Sequence, residues 1–346
     1  MTAPLLVRAA RREAVERTPV WFMRQAGRCL EAYRALRERH GILDIARTPE
    51  LCARVTTMPV ERLGVDAAVL YADIMLPLDG MGVPFRIEPD VGPIVERPVR
   101  TAADVAALRV VAAEEATPYL FETIRALRRD LPPDIALVGF AGAPFTLASY
   151  LIEGHPSRDL ARTKAMLFGE PDLWTRLMHT LVDVLSRYVR AQVAAGADVI
   201  QLFDSWAGAL APDDYARMVL PHTARIFAAL DGLAAPRIHF ATGNPLLLPA
   251  MGRAGAEAVS VDWRVPLDEA AVLVGPDRAL QGNLDPGICL APFEVVAAAA
   301  RDVLRRAGRR RGHIFNLGHG VLPQTDADTL ARLAALVRAE SALVPA

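Results

Sequence analysis

The chain has almost no lysine: Lys164 is the single one among 346 residues, although Lys and Arg together number 39. Schiff-base and pyridoxal-phosphate chemistry need a lysine beside the reacting carbon, and residues 158–164 are a polar stretch poorly suited to hold one. Cysteine is equally sparse. Cys29, Cys52 and Cys289 are too few and too scattered for a disulfide framework or a zinc ribbon, which fits a reducing compartment. Charge of one sign is lacking too. Asp and Glu number 40 and the net charge is −1, so no basic excess points to nucleic acid. The arginine run at 309–311 is short and reads as a solvated loop. No apolar run approaches the ~18 residues needed to cross a membrane. Residues 5–7 are too short for a signal-peptide core, and Glu13 and Glu16 argue against a transit peptide. The expectation is a cytoplasmic protein with no membrane or nucleic-acid partner.

What is present is a large apolar fraction, 52%, arranged as short apolar runs alternating with helical spacing. Strands are expected at residues 20–23, 67–71, 135–140, 199–203, 237–240, 258–261, 279–281 and 313–316. Helices are expected at 5–17, 49–63, 118–129, 171–195, 212–230, 245–253, 266–274, 292–307 and 325–339. Strands apolar on both faces belong to a parallel sheet covered by helices. Eight such units in one chain of this length fit an α/β fold: a single (β/α)8 TIM barrel, residues 1–346, as one domain. Extended runs at 83–87 and 94–98, separated by Pro-Asp-Val-Gly-Pro, predict a hairpin inserted after strand two. A doubly wound open sheet would usually carry a Gly-rich phosphate loop after its first strand. Residues 24–28 supply one glycine, so that signal is absent.

Polar residues gather where the strands end. Arg24, Gln25 and Arg28 follow strand one, Asp73 follows strand two, and Asp204 and Ser205 follow strand four. Asn283 and Asp285 follow strand seven, and Asn316 and His319 end or follow strand eight. In a barrel these ends share one mouth, where sites are built. Each has a bland alternative: the arginines as bridges to core-rim carboxylates, Asp73 as a cap, Ser205 in a turn, His319 at a rim. Several ends agreeing favours one cleft. The guanidinium fork suits carboxylate or phosphate ligands.

The motifs carrying this pattern resemble the uroporphyrinogen decarboxylase family. They are Pro19-Val-Trp-Phe-Met followed by Arg24-Gln-Ala-Gly-Arg28, Tyr71-Ala-Asp-Ile74, Gly139-Phe-Ala-Gly-Ala-Pro-Phe-Thr-Leu147, Phe203-Asp-Ser-Trp-Ala-Gly208, Gln281-Gly-Asn-Leu-Asp-Pro286 and Phe315-Asn-Leu-Gly-His-Gly320. Where the family continues its first motif as Tyr-Leu-Pro-Glu-Tyr, this chain has Cys29-Leu-Glu-Ala-Tyr33. The resemblance implies a (β/α)8 barrel, a homodimer, and decarboxylation of the four acetates of uroporphyrinogen III to methyls, giving coproporphyrinogen III, with no metal and no organic cofactor. It implies substrate-binding roles for Arg24, Gln25, Arg28, Arg37, Asp73, Tyr150, Phe203, Ser205 and His319. Catalytic roles fall among these on Asp73, Arg24, Tyr150 and His319. Which group donates the proton, His319, an arginine or water, stays open.

The chemistry suits these residue types. An acetate losing CO2 needs an electron sink, and a protonated pyrrole supplies its own. Arginines would hold the carboxylates, each charge-assisted contact contributing ~1.5–3 kcal/mol. Asp73 would face the cationic ring. Two rivals compete with this reading. Zinc methyltransferases of the same superfamily use a His-x-Cys pair and a later Cys, whereas His239 here precedes Phe240 and Ala241. The other rival is a tetrapyrrole-binding protein without catalysis.

Overall fold

The computed structural model describes residues 2–27, 29–89, 91–308 and 310–342. Its centre is a seven-stranded parallel sheet: β1 (Ala67–Val69), β4 (Ala136–Gly142), β5 (Val199–Asp204), β6 (Arg237–Ala241), β7 (Ala258–Ser260), β8 (Ala279–Gln281) and β9 (His313–Ile314), paired in chain order. Between β1 and β4 lies a separate antiparallel pair, β2 (Phe85–Glu88) with β3 (Gly92–Val95). The central strands carry side chains such as Val138, Phe140, Ile200 and Leu202, and every residue of β4 is buried. Helices over the sheet remove both faces from water, which is why these strands need no polar alternation. The helices Pro49–Leu63, Pro118–Asp130, Pro171–Ala195, Phe293–Ala307 and Ala327–Ser341 stand close to their expected places. Proline at the first turn begins the first three, where its missing N–H costs nothing. Gly64 in the left-handed region (φ 65°) ends the first of them.

Several expected elements differ. The helix at 5–17 stops at Ala10, and the stretch 212–230 is two helices, Pro212–Met218 and Leu220–Ala228, interrupted at Val219 just before Pro221.

Residues 20–23, expected as a full strand, form a single parallel bridge, Val20 with Phe315. Side chains take the backbone donors that a ladder would use. The Asp66 carboxylate accepts from Val20 N–H (2.8 Å), the Gln25 amide oxygen from Phe22 N–H (3.0 Å), and the Asn316 amide oxygen from Met23 N–H (2.9 Å). Backbone bonds still tie this segment to both edges of the sheet: Asp66 N–H donates to Val20 O (2.8 Å) and Phe315 N–H to Pro19 O (2.8 Å). Arg17 grips Asp66 with two bonds (2.7 and 2.8 Å), fixing the segment at the start of β1. Among the described residues no helix is long and apolar enough to cross a membrane.

Candidate active site

Inside the curled sheet, beneath the cleft, runs a polar chain. Trp21 Nε1 donates to the Gln281 oxygen (3.0 Å), and Gln281 Nε2 donates to the Gln201 oxygen (3.0 Å) and to Ser260 Oγ (2.9 Å). Buried amides paired this way hold their rotamers and stiffen the floor. Above it, where β1, β4, β5, β6 and β9 end, opens a cleft of about 460 Å³.

Asp73 lies in this cleft, four residues past β1. Met75 N–H donates to its Oδ1 (2.9 Å). Burial pushes its carboxyl above the ordinary value, opposed by that N–H and by the Arg24 charge. Arg24 supplies a cation to the same cleft, near enough to act electrostatically on Asp73. It takes φ 60°, a conformation costly for a side chain with a Cβ. Gly320 makes room for its stem, since a Cβ there would stand 2.5 Å from Arg24 Cδ. Among the described residues no carboxylate forms an ion pair with Arg24, so the bridging alternative does not hold for Arg24.

Phe140, Phe203 and Phe240 form one apolar wall by edge-to-face contacts at 5.4 and 5.6 Å, and His319 continues it at 5.9 Å from Phe240. Burial, with Arg24 nearby, lowers the His319 imidazolium pKa to about 4, so the ring is neutral at pH 7. Tyr150, on the buried helix Pro144–Glu153, packs edge-on to Trp206 at 5.9 Å. Its phenol is pushed up by burial. Ser205 also lines the cleft.

Thus Arg24, Gln25, Asp73, Tyr150, Phe203, Ser205 and His319 meet at one cavity. Gln25 does so with its amide committed, donating to Ala67 O (2.8 Å) as well as accepting from Phe22 N–H. Arg37 is not among the lining residues; its guanidinium donates to His40 O. Arg28 lies outside the described residues. Other polar residues at strand ends serve the backbone. Asn283 donates to Asp262 O and Val265 O, Asp285 caps Gly287 N–H (2.8 Å), and Asn316 holds Met23 and Leu317. Asp204 accepts from Thr146 Oγ1 (2.9 Å), and burial raises its carboxyl to about 7. Tyr33 and Tyr71 also line the cleft and were not expected there. The signal available was their closeness in sequence to Arg28 and Asp73. Among the described residues no group of three or more His, Cys, Asp or Glu side chains is placed to hold a metal ion.

A curled parallel α/β sheet whose strand ends surround an aromatic-walled cleft, lined by the Asp73 carboxylate and the Arg24 cation, has the architecture of an α/β enzyme with its site at the strand ends. The chain belongs to the uroporphyrinogen decarboxylase (URO-D) family, whose model matches residues 1–340. It is 52% identical over 336 residues to a uroporphyrinogen decarboxylase of Streptomyces griseus subsp. griseus, covering 97% of this chain and 92% of that one. It is 50% identical over 334 residues to one of Thermus thermophilus, covering 96% and 97%. Among solved structures, a methyltransferase from Methanosarcina mazei superimposes with a TM-score of 0.84 at 22% identity, covering 97% of this chain and 98% of that one. That likeness shows the fold alone.

Proposed function

We propose that this chain is a carboxy-lyase that decarboxylates uroporphyrinogen III to coproporphyrinogen III in tetrapyrrole biosynthesis. The observation that carries the reading is the half-buried Asp73 carboxylate sharing an aromatic-walled cleft with Arg24, which acts on it electrostatically. Relatives bearing the decarboxylase name at about half identity over nearly the whole chain support it.

The substrate's side-chain carboxylates call for cations, and Arg24, Arg28 and Arg37 are assigned to them. Protonating the pyrrole carbon beside the one bearing an acetate makes the ring cationic. The bond to CO2 then breaks and its electron pair neutralises the ring, leaving an exocyclic methylene. A second proton adds to the methylene and the first leaves the ring, so a proton replaces CO2 overall. The ring is its own sink, and the reading requires no cofactor. Asp73 stabilises the cation and accepts from pyrrole N–H groups. Burial makes an unpaired carboxylate there costly, and that cost falls when the cation forms, which is the differential stabilisation catalysis needs. Tyr150, Ser205, Phe203 and His319, which line the cleft, contact the macrocycle. A neutral His319 acts as a hydrogen-bond donor rather than a strong acid. The left-handed backbone at Arg24 is the kind of strain retained at functional sites.

The finer fold reading is a single-domain, eight-fold barrel, with residues 19–23 as the eighth stave joining both sheet edges. A cytoplasmic homodimer follows from the family resemblance and the cysteine usage. Anaerobic incubation with uroporphyrinogen III tests the activity. Coproporphyrinogen should accumulate with loss of CO2; stable binding without decarboxylation would instead support the non-catalytic tetrapyrrole-binding alternative.

A further inference from the structure

We infer that the paired hydroxyls of Tyr33 and Tyr71 form a recognition corner for a substrate carboxylate that is held but not lost. The inference rests on the decarboxylase reading and adds a subsite to it. Tyr33 stands on the helix Glu31–Arg37 and Tyr71 just past β1, and both line the cleft. Their hydroxyls are 2.8 Å apart and their rings 5.7 Å apart, tilted by 56°.

The pair has two O–H protons and its mutual bond uses one. The second O–H needs an acceptor, and among the described residues neither hydroxyl bonds to any other group. A donor at the wall of a cleft, left over after the pair has satisfied itself, suits an acceptor arriving with the ligand. A carboxylate is the strongest such acceptor. Arg37 is close enough to act electrostatically on the Tyr71 hydroxyl, so a carboxylate there meets a cation as well. The corner is also held in place. Tyr71 N–H donates to Thr56 Oγ1 (2.9 Å), and Cys52 Sγ–H donates to Tyr71 O (3.0 Å). A donor fixed in advance loses little freedom on binding. Burial keeps the Tyr71 phenol protonated well above neutral pH.

A carboxylate that is bound but not lost is held equally in the ground and transition states, so the corner acts on KM rather than kcat. Removing either hydroxyl leaves the other free to donate, so the decisive variant is the double one, Tyr33→Phe with Tyr71→Phe. The expected result is a KM for uroporphyrinogen III raised about 10-fold or more, the scale of a lost hydrogen bond to a charged group, with kcat within about 3-fold of the parent. A KM within about 2-fold of the parent, or a loss confined to kcat, overturns the inference. Binding of coproporphyrin III, followed by the fluorescence of Trp21 at the cleft, gives a readout independent of turnover. The double variant should bind it about 10-fold more weakly, while its tetramethyl ester binds both proteins alike. Equal affinity for the free acid refutes the corner. A parent protein that binds this acid yet releases no CO2 from uroporphyrinogen III refutes the decarboxylase reading and leaves the binding comparison to decide the corner.

Discussion

Replacing Asp73 by Asn tests the centre of the mechanism with little change of shape. The Asn oxygen can still accept from Met75 N–H, which now donates to Asp73 Oδ1 at 2.9 Å, so the local turn should persist. What disappears is the negative charge. At an effective dielectric constant of about 20, a carboxylate ~4 Å from a cationic ring contributes roughly 4 kcal/mol. Losing it slows decarboxylation by about 10³-fold. The neutral porphyrinogen ring carries no such charge before protonation, so KM should move by less than about 10-fold. Progress is followed anaerobically, by oxidising samples and separating the porphyrins by carboxylate count. A variant that melts at the parent temperature yet keeps kcat within about 5-fold would falsify the electrostatic role. The pH profile of the parent gives a second check. The Asp73 carboxyl is shifted upward mainly by burial, so activity that needs the anion is lost, as pH falls, at a higher pH than an exposed aspartate would show.

Asp204→Asn probes a fully buried carboxyl beside the cleft floor. Its folded pKa of about 7 lies above the ordinary value of 3.8, so its contribution to stability is fully present below pH 4 and is lost as pH rises through 7. The parent's unfolding free energy should fall relative to the Asn variant between pH 5 and pH 8, by something on the order of a few kcal/mol; parallel profiles for the two proteins exclude the shift. Gln25→Leu removes both partners of Phe22 N–H and Ala67 O, which are bonded at 3.0 and 2.8 Å. Urea unfolding should show a loss of about 2–4 kcal/mol, with KM of the folded fraction changed less than about 3-fold. An undiminished unfolding midpoint with a large rise in KM would make Gln25 a ligand contact instead of a brace.

The central strands were legible because burial on both faces leaves a mostly apolar run, unbroken in β4 and interrupted in β5 only by Gln201 before the terminal Asp204. Proline starts and glycine stops marked the helices for the same local reason. The cleft was legible in outline because strand ends converge whatever their loops do. Which polar side chains face it was not. Asp73 and Asp285 occupy comparable positions after their strands, and each accepts from the backbone N–H two residues on, Met75 and Gly287, yet only Asp73 lines the cleft. The Asp285-Pro-Gly sequence carries that turn signal locally.

Residues 20–23 mark a different limit. Four apolar residues predict a ladder, and nothing within the run says otherwise. Gln25, three residues on, takes one of its donors, but the other two side-chain partners lie 46 residues away at Asp66 and 293 away at Asn316, so local periodicity contains no trace of them. The Tyr33–Tyr71 pair, 38 residues apart, is hidden in the same way. These long-range pairings also build the site. The bonds from Gln25 and Asn316 to Phe22 and Met23 carry the chain out of the ladder just before Arg24, and Arg24 then turns into the left-handed region at the lip of the cleft. The place where the strand pattern fails is therefore the place where the first motif stops serving the core and starts facing the ligand.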